Sequence, residues 1–462
     1  MTTGVVPASF RDPSGFVWSD NGTLYRQINE AYRAEYDALI SSGLYDALVA
    51  KRLLIPHEEV CVEGPRPGAY KTIKPERVEL VSYPYEWCFG QLRRAALTTI
   101  AIQKVALSHE MTLRDASAYN IQFHHGRPVL IDTLSFERYE EGRPWVAYRQ
   151  FCQHFLAPLA LMAYRDVRLG SLLRQYIDGI PLDLAADLLP FRTRLKPSLL
   201  VHIHAHARML SRYERRKLPE HAAKRRMTKQ AFGGLLTGLE RAVRKLSWEP
   251  PPSAWRDYDK AKDHYSEEAT RHKHELVAAF VADASPRVVW DLGANVGSYS
   301  RVAASGGAFV ACFDVDPGCV ELNYRQTVTA GETSLLPLFC DLTNPSPALG
   351  WSHEERMSMS QRGPVDLVLA LALIHHMAIG NNVPFDRLAA FFAGLGDRLV
   401  IEFVPKDDPM VQTMLSTRRD IFVDYDEQTF QRAFRRWFDV ERREALPGSS
   451  RSLYLMRSRE RA

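Results

Sequence analysis

The sequence predicts two domains: an α+β domain in the N-terminal half and an α/β domain with a largely parallel sheet in the C-terminal half. Three observations carry this. The chain has 462 residues, more than the roughly 250–300 over which one hydrophobic core usually extends. The first half opens on a hairpin signal and continues into long helical patterns. After three prolines at 250–252, short apolar strands alternate with helical patterns to the end. That alternation is the mark of a parallel sheet buried on both faces.

The elements of the first half follow in order. Residues 14–28 read as a hairpin, because β-rich runs flank Asp20-Asn21-Gly22 and Asn-Gly tolerates positive φ at both central positions. A helix is expected over about 30–53, with a break at Ser42-Gly43. Loops with Pro and Gly fill about 56–75 and lead to a strand over 77–83. Apolar residues recur at helical spacing from Leu92 to His109. Residues 125–132 read as a turn and then a strand. Helical patterns run over 146–210, broken at Pro181, Pro190 and Pro197. Within them His202-Ile203-His204-Ala205-His206 reads as a polar helix face, since no carboxylate or Cys joins the histidines at ligand spacing. No metal ligand is assigned among these histidines.

Residues 208–245 hold twelve Lys/Arg against three Glu. Only Tyr213 and Phe232 interleave with this charge, so the run reads as a solvated helical linker; binding of RNA or an anionic membrane is the alternative. The expected boundaries are 1–205 for the first domain, 206–253 for the linker and 254–462 for the second domain. In the last, strands are expected over 288–293, 308–316, 334–341, 366–373, 398–404 and 452–457. Residues 435–438 are expected to pack a late helix on the sheet.

The sharpest motif spans 288–299: Val-Val-Trp-Asp-Leu-Gly-Ala-Asn-Val-Gly-Ser-Tyr. An apolar strand ends in an acid, turns through two glycines and enters a helix. Gly293 permits a sharp turn and close approach of a ligand, and Gly297 permits close packing of helix on strand. A ligand is then expected beyond the carboxyl ends of the strands. The next strand ends Phe313-Asp314-Val315-Asp316-Pro317. An acid about twenty residues after a Gly-rich turn is placed to accept from ribose hydroxyls. The third strand ends Phe339-Cys340-Asp341, where an Asp can accept from an exocyclic amine of adenine.

These motifs, with Asp366-Leu-Val-Leu-Ala-Leu-Ala-Leu-Ile-His-His376 after them, resemble a class I S-adenosylmethionine-dependent methyltransferase over roughly 255–462. The resemblance implies a doubly wound, mostly parallel, seven-stranded Rossmann-like sheet and S-adenosylmethionine as cofactor. It implies that Asp291 and Gly293 lie against the methionine part, with Ala294, Asn295 and Gly297 in the same loop. Asp314 would bind the ribose and Asp341 the adenine. Trp255, Tyr258 and Tyr265 fall where such enzymes place an aromatic over the cofactor, and Tyr265 is assigned to it. A dinucleotide-binding domain is the near alternative, but it wants G-x-G-x-x-G and position 295 is Asn.

A sulfonium already activates its methyl group, so the protein must align a nucleophile and take its proton. His375 and His376 are candidate bases, because histidine titrates near neutral pH. The other reading is that they open the next helix and hold a loop. Glu402 adds a carboxylate at the cleft, to position substrate or to pair with a basic residue. The chain lacks N-P-P-Y and D-P-P-Y after the fourth strand, which disfavours amino methylation of adenine or glutamine in that style.

In the first half, Arg114-Asp115-x-x-x-x-Asn120 and then Ile131-Asp132 resemble the catalytic loop and metal-binding Asp of protein and aminoglycoside kinases. The resemblance implies Asp115 as base, with Asn120 and Asp132 as magnesium ligands. The chain departs from the pattern in three ways. The 14–28 hairpin lacks G-x-G-x-x-G, Arg26 stands where a phosphate-contacting Lys belongs, and Thr-Leu follows Asp132. A degenerate kinase-like domain used for recognition or scaffolding is therefore expected; the other reading is that Asp115 and Asn120 cap a turn and Asp132 ends a strand. The first half, with Tyr83-Pro84-Tyr85-Glu86-Trp87, also resembles long bacterial methyltransferases with an extra N-terminal domain, some of nodulation type.

Composition narrows the classes. With 46% hydrophobic and 25% charged residues, most of the chain can bury a core. Lys+Arg 59 against Asp+Glu 55 is nearly balanced and does not by itself suggest nucleic acid. Six cysteines with no C-x-x-C pair are not a disulfide scaffold. No signal peptide is expected, and no apolar run reaches the ~20 residues of a membrane span. The expected protein is a cytoplasmic methyltransferase acting on a small-molecule or glycan-like acceptor that the first domain recognises. A kinase-like phosphotransferase with a regulatory second domain, an RNA methyltransferase and a non-catalytic cofactor sensor remain alternatives.

Overall fold

The computed structural model describes residues 4–210, 227–252, 267–416 and 419–459. The chain divides into two compact units: Met1–Glu249 with Gly350–Arg356, and Pro250–Leu349 with Met357–Ala462.

The first unit begins with five strands: β1 (Gly4–Val5), β2 (Gly15–Asp20), β3 (Thr23–Asn29), β4 (His57–Val60) and β5 (Ala69–Pro75). They form an antiparallel sheet in the order β1-β2-β3-β5-β4. The expected hairpin is β2–β3, turned by Asn21 and Gly22, both at positive φ. Helices Arg33–Ser41 and Leu44–Ala50 are parted at Gly43, whose φ is 73°. Ile28, Tyr32, Tyr36, Ile73 and Leu134 form a core cluster in this unit.

Two local expectations fail here. The loops expected over 56–75 contain β4 and β5, and 77–83 is not a strand. The backbone of Ser82 is instead held by a side chain: its N–H donates to Gln122 Oε1 at 2.8 Å, and Gln122 Nε2 donates to its carbonyl at 2.9 Å. A buried backbone needs its polar groups paired, and here a glutamine does what a neighbouring strand would otherwise do.

The helix Phe89–Ser108 follows, then β6 (Met111–Leu113), β7 (Ile121–His124), β8 (Arg127–Leu130) and β9 (Phe136–Arg138). β6 pairs with β9 and β7 with β8, both antiparallel. The loop 114–120 therefore lies between β6 and β7, and Asp132 just after β8. Within the linker expected over 206–253, the described residues 229–245 form a helix, Lys229–Lys245, as expected, but one that is not solvated all round. It buries Phe232, Leu236, Leu239, Ala242 and Val243, and Lys104 pairs with its Glu240. The unit boundary falls at Glu249 and Pro250. The expected polar face of His202, His204 and His206 is buried as well. Tyr148 Oη lies 2.7 Å from His202 Nδ1, Thr193 Oγ1 lies 2.9 Å from His204 Nε2, and the His206 ring stacks on Tyr148. Among the described residues no helix is long and apolar enough to cross a membrane.

The second unit holds β10 (Val288–Leu292), β11 (Phe309–Asp314), β12 (Leu335–Phe339), β13 (Val365–Ala370), β14 (Gly396–Phe403), β15 (Phe438–Ala445) and β16 (Ser452–Ser458). Their order is β12-β11-β10-β13-β14-β16-β15. The first five are mutually parallel; β16 runs antiparallel to both β14 and β15. This is the doubly wound, mostly parallel, seven-stranded sheet. Its order reverses between β10 and β13, and a ligand cleft opens at the carboxyl ends of strands at such a switch. β15 begins inside the stretch expected to pack a helix, 435–438; the helix there ends at Phe434.

Candidate functional site

The glycine loop is built from β10 outward. Gly293 and Ala294 both donate their N–H to the Phe313 carbonyl, at 2.8 and 2.9 Å. Gly293, Asn295 and Gly297 have φ of 81°, 50° and 86°, a left-handed region that costs other residues about 1–2 kcal/mol. Asp314, at the end of β11, clamps the loop. Its Oδ2 accepts from Asn295 N at 2.7 Å and its Oδ1 from Asp316 N at 2.8 Å. Asp291 is buried and its Oδ2 accepts from Ser300 Oγ at 2.6 Å. Burial pushes both carboxyls up, each to about 6; the charge of Asp314 adds to the effect on Asp291. Asp341 lies next along the sheet edge, its Oδ1 accepting from Thr343 N at 2.8 Å and Thr343 Oγ1 at 2.7 Å.

The loop leaves no room for a methyl group at its helix entrance. A Cβ on Gly297 would stand 2.6 Å from Arg301 Nη1 and 2.6 Å from both Asn323 Oδ1 and Nδ2. Gly297→Ala is expected to lower stability by about 2–4 kcal/mol, from φ strain and overlap together. A thermal melt reads this directly.

The ends of β13 and β14 supply the second half of the site. His375 is fully buried, and neither ring nitrogen has a hydrogen-bond partner among the described residues. Its ring lies against that of His376, centroids 4.0 Å apart. Burial holds both imidazoles neutral: His375 well below its ordinary value, His376 at about 4. Glu402 is fully buried too. Its Oε2 accepts from Lys273 Nζ and from Ala372 N, each at 2.7 Å, and Arg451 Nη1 is 3.4 Å from its Oε1. Arg451, itself buried, donates to Asp408 at 2.7 and 3.1 Å. Glu402 thus pins the Ala372 loop that carries the histidines. Two cations and a backbone N–H converge on its carboxylate.

Asp291, Gly293, Ala294, Asn295, Gly297 and Asp314 thus meet at one end of the sheet, with Asp341, His375, His376 and Glu402 at the ends of its other strands. Tyr265, Trp255 and Tyr258 lie outside the described residues. Sequence reasoning missed Lys273, Asp408 and Arg451. Their only signal is charge placed beside apolar stretches.

In the first unit Asp115, Asn120 and Asp132 also converge. Asp115 Oδ1 accepts from Ser117 N at 2.8 Å; burial raises its carboxyl above the ordinary range, with the Asp132 charge contributing. Asn120 Nδ2 is 3.4 Å from Ser135 Oγ. Asp132 accepts from Ser135 Oγ at 2.5 Å and Leu134 N at 3.1 Å, and pairs with Arg26 Nη1 at 2.6 Å. Arg26, the residue in place of the expected Lys, therefore already neutralises Asp132.

No family model matches the chain. The chain is 35% identical over 461 residues to the nodulation protein NoeA of Rhizobium meliloti (strain 1021), covering 98% of this chain and 95% of that protein. Among solved structures, it is similar to the bifunctional kinase-methyltransferase WbdD, at 17% identity, over 41% of this chain and 39% of that one, with a TM-score of 0.29. It is also similar to magnesium protoporphyrin IX methyltransferase (ChlM) of Synechocystis PCC 6803 with bound SAH, at 20% identity over 48% and 94% of the chains, TM-score 0.30. The N-methyltransferase NodS of Bradyrhizobium japonicum WM9 matches at 11% identity over 43% and 98%, TM-score 0.30.

Proposed function

The chain belongs to the family of the nodulation protein NoeA, and on that premise we propose that it transfers a methyl group from S-adenosylmethionine to an acceptor recognised by its first unit. One observation carries the reading: buried Asp291 and half-buried Asp314 flank a loop turned by left-handed Gly293 and Gly297. Such acids call for hydroxyl donors or a cation, and the cofactor offers a ribose diol, an ammonium and a sulfonium. When bound, it supplies an already activated methyl group. Asp314 keeps lone-pair capacity for the ribose beyond the backbone N–H groups it holds. Asp341 faces the adenine amine, and Gly293 lets the cofactor lie against the backbone. His375 and His376, held neutral, are the candidate proton acceptors for the nucleophile. Asn295 in place of a second glycine weighs against a dinucleotide.

The first unit recognises or presents a small-molecule or glycan-like acceptor. The Arg26–Asp132 pair favours this over phosphoryl transfer, because the guanidinium takes the carboxylate a magnesium ion would need. An RNA acceptor is less supported, because the one described helix of the basic run turns an apolar face inward. A reducing, cytoplasmic setting agrees with six free cysteines.

Protonation supplies a test. A carboxyl raised to about 6 in the fold contributes stability that is full below its unfolded value near 4 and is lost as pH rises through 6. Bound cofactor favours the ionised form, so affinity for S-adenosylmethionine is expected to rise from pH 5 to pH 7. The gain is about 10-fold per carboxylate and up to ~100-fold for both. Calorimetry at the two pH values, in buffers of different ionisation enthalpy, measures the gain and the protons released. Equal affinity at both would remove the carboxylates from the site.

A further inference from the structure

We propose that Glu76, His124 and His125, oriented by Glu79, form a binding site for a borderline divalent cation of the zinc class in the first unit. The proposal stands apart from the methyltransferase reading. The histidines occupy the β7–β8 turn, where His125 and Gly126 take positive φ of 47° and 70°, and Arg94 Nη1 donates to the Gly126 carbonyl at 3.2 Å. The glutamates follow β5 in a segment tied down by Glu76 N donating to the Pro56 carbonyl at 2.9 Å.

The four side chains divide into two roles. Glu79 Oε2 lies 2.9 Å from His124 Nδ1, and Glu79 Oε1 lies 3.1 Å from His125 Nδ1. A carboxylate only accepts, so each Nδ1 carries a proton; His124 Nε2, 3.0 Å from Glu76 Oε1, also donates until a cation displaces that proton. This is how an outer carboxylate fixes the tautomer of metal-binding histidines. Both Nε2 atoms then face Glu76: its Oε1 is 3.0 Å from His124 Nε2 and 3.8 Å from His125 Nε2. One ligand atom from each of the three residues falls within 4.8 Å of the others. Tetrahedral ligands at about 2.0–2.1 Å from zinc stand roughly 3.3 Å apart, so small side-chain shifts complete the geometry. Two nitrogens and one carboxylate suit zinc and its neighbours rather than magnesium or calcium, and water takes the fourth position. His125 is 61% and Glu76 47% exposed, which leaves an entry path. A bound ion would clamp the segment after β5 to the β7–β8 turn.

The cluster admits one rival: both imidazoles doubly protonated, with no metal. Tag-free full-length protein is titrated with cobalt(II), followed by its visible d–d absorption, and with zinc(II) against a chromophoric chelator. One equivalent is expected to bind, and a ~1000-fold excess of magnesium should not displace it. His124→Gln with His125→Gln should weaken that equivalent by at least about 100-fold, with circular dichroism unchanged. Glu79→Gln, which keeps all three ligands, should weaken it about 10–100-fold. The proposal is overturned if wild type binds no tighter than the double variant, or if magnesium displaces the ion.

Discussion

Glu402→Ala is expected to lower the stability of the second unit by about 3–5 kcal/mol, the largest effect of any single change in the site. The carboxylate is fully buried and holds Lys273, Ala372 N and Arg451. Removing it takes the Glu402 carboxylate from a buried ammonium and frees the loop before His375. Arg451 keeps Asp408, so the loss is concentrated on Lys273. Thermal melts read the change as a drop of roughly 10 °C for a unit of this size. Lys273→Met combined with Glu402→Leu should recover much of the loss, since replacing both charges by apolar groups leaves neither stranded. A loss under about 1 kcal/mol for Glu402→Ala would mean that water reaches this network.

Asp314→Ala is expected to weaken S-adenosylmethionine binding about 100–1000-fold. Two contributions add: lost bonds to the ribose, about 1.5–3 kcal/mol for a charged acceptor, and release of Asn295 N and Asp316 N, which loosens the loop. Each 1.4 kcal/mol is tenfold in affinity. Asp314→Asn keeps one acceptor oxygen and should fall between. Asp341→Ala, whose carboxylate also caps its own turn through Thr343, should cost about tenfold. Calorimetry with melts run on the same samples separates weakened binding from unfolding.

Legibility in the sequence followed the strength of the local signal. Asn21-Gly22 forced its hairpin, because few pairs accept positive φ twice. The glycine loop was readable for the same reason, and the central strands because burial on both faces makes them continuously apolar. β15 was not readable. It is the last strand of the sheet order and carries Asp439, Glu441, Arg442, Arg443 and Glu444, charges that protect an edge and hide its period. In the helix Lys229–Lys245 the count of basic residues masked the stripe of Phe232, Leu236, Leu239 and Val243. Residues 77–83 misled in the opposite sense, with apolar periodicity but backbone groups answered by Gln122. In the site, motif residues were legible singly. What Glu402 does was not, because Lys273 and Arg451 reach it from 129 and 49 positions away. The Glu76–His124–His125 cluster was hidden likewise, since its two halves are 48 positions apart.

The most direct test of the account is calorimetric titration of the purified chain with S-adenosylmethionine, run beside ATP·Mg²⁺ and NADH. The account predicts one equivalent of S-adenosylmethionine bound, lost in Asp314→Ala, and no heat from the other two. Binding of ATP·Mg²⁺ or NADH with silence for S-adenosylmethionine would contradict it; for ATP·Mg²⁺, the site to pursue would then be Asp115, Asn120 and Asp132.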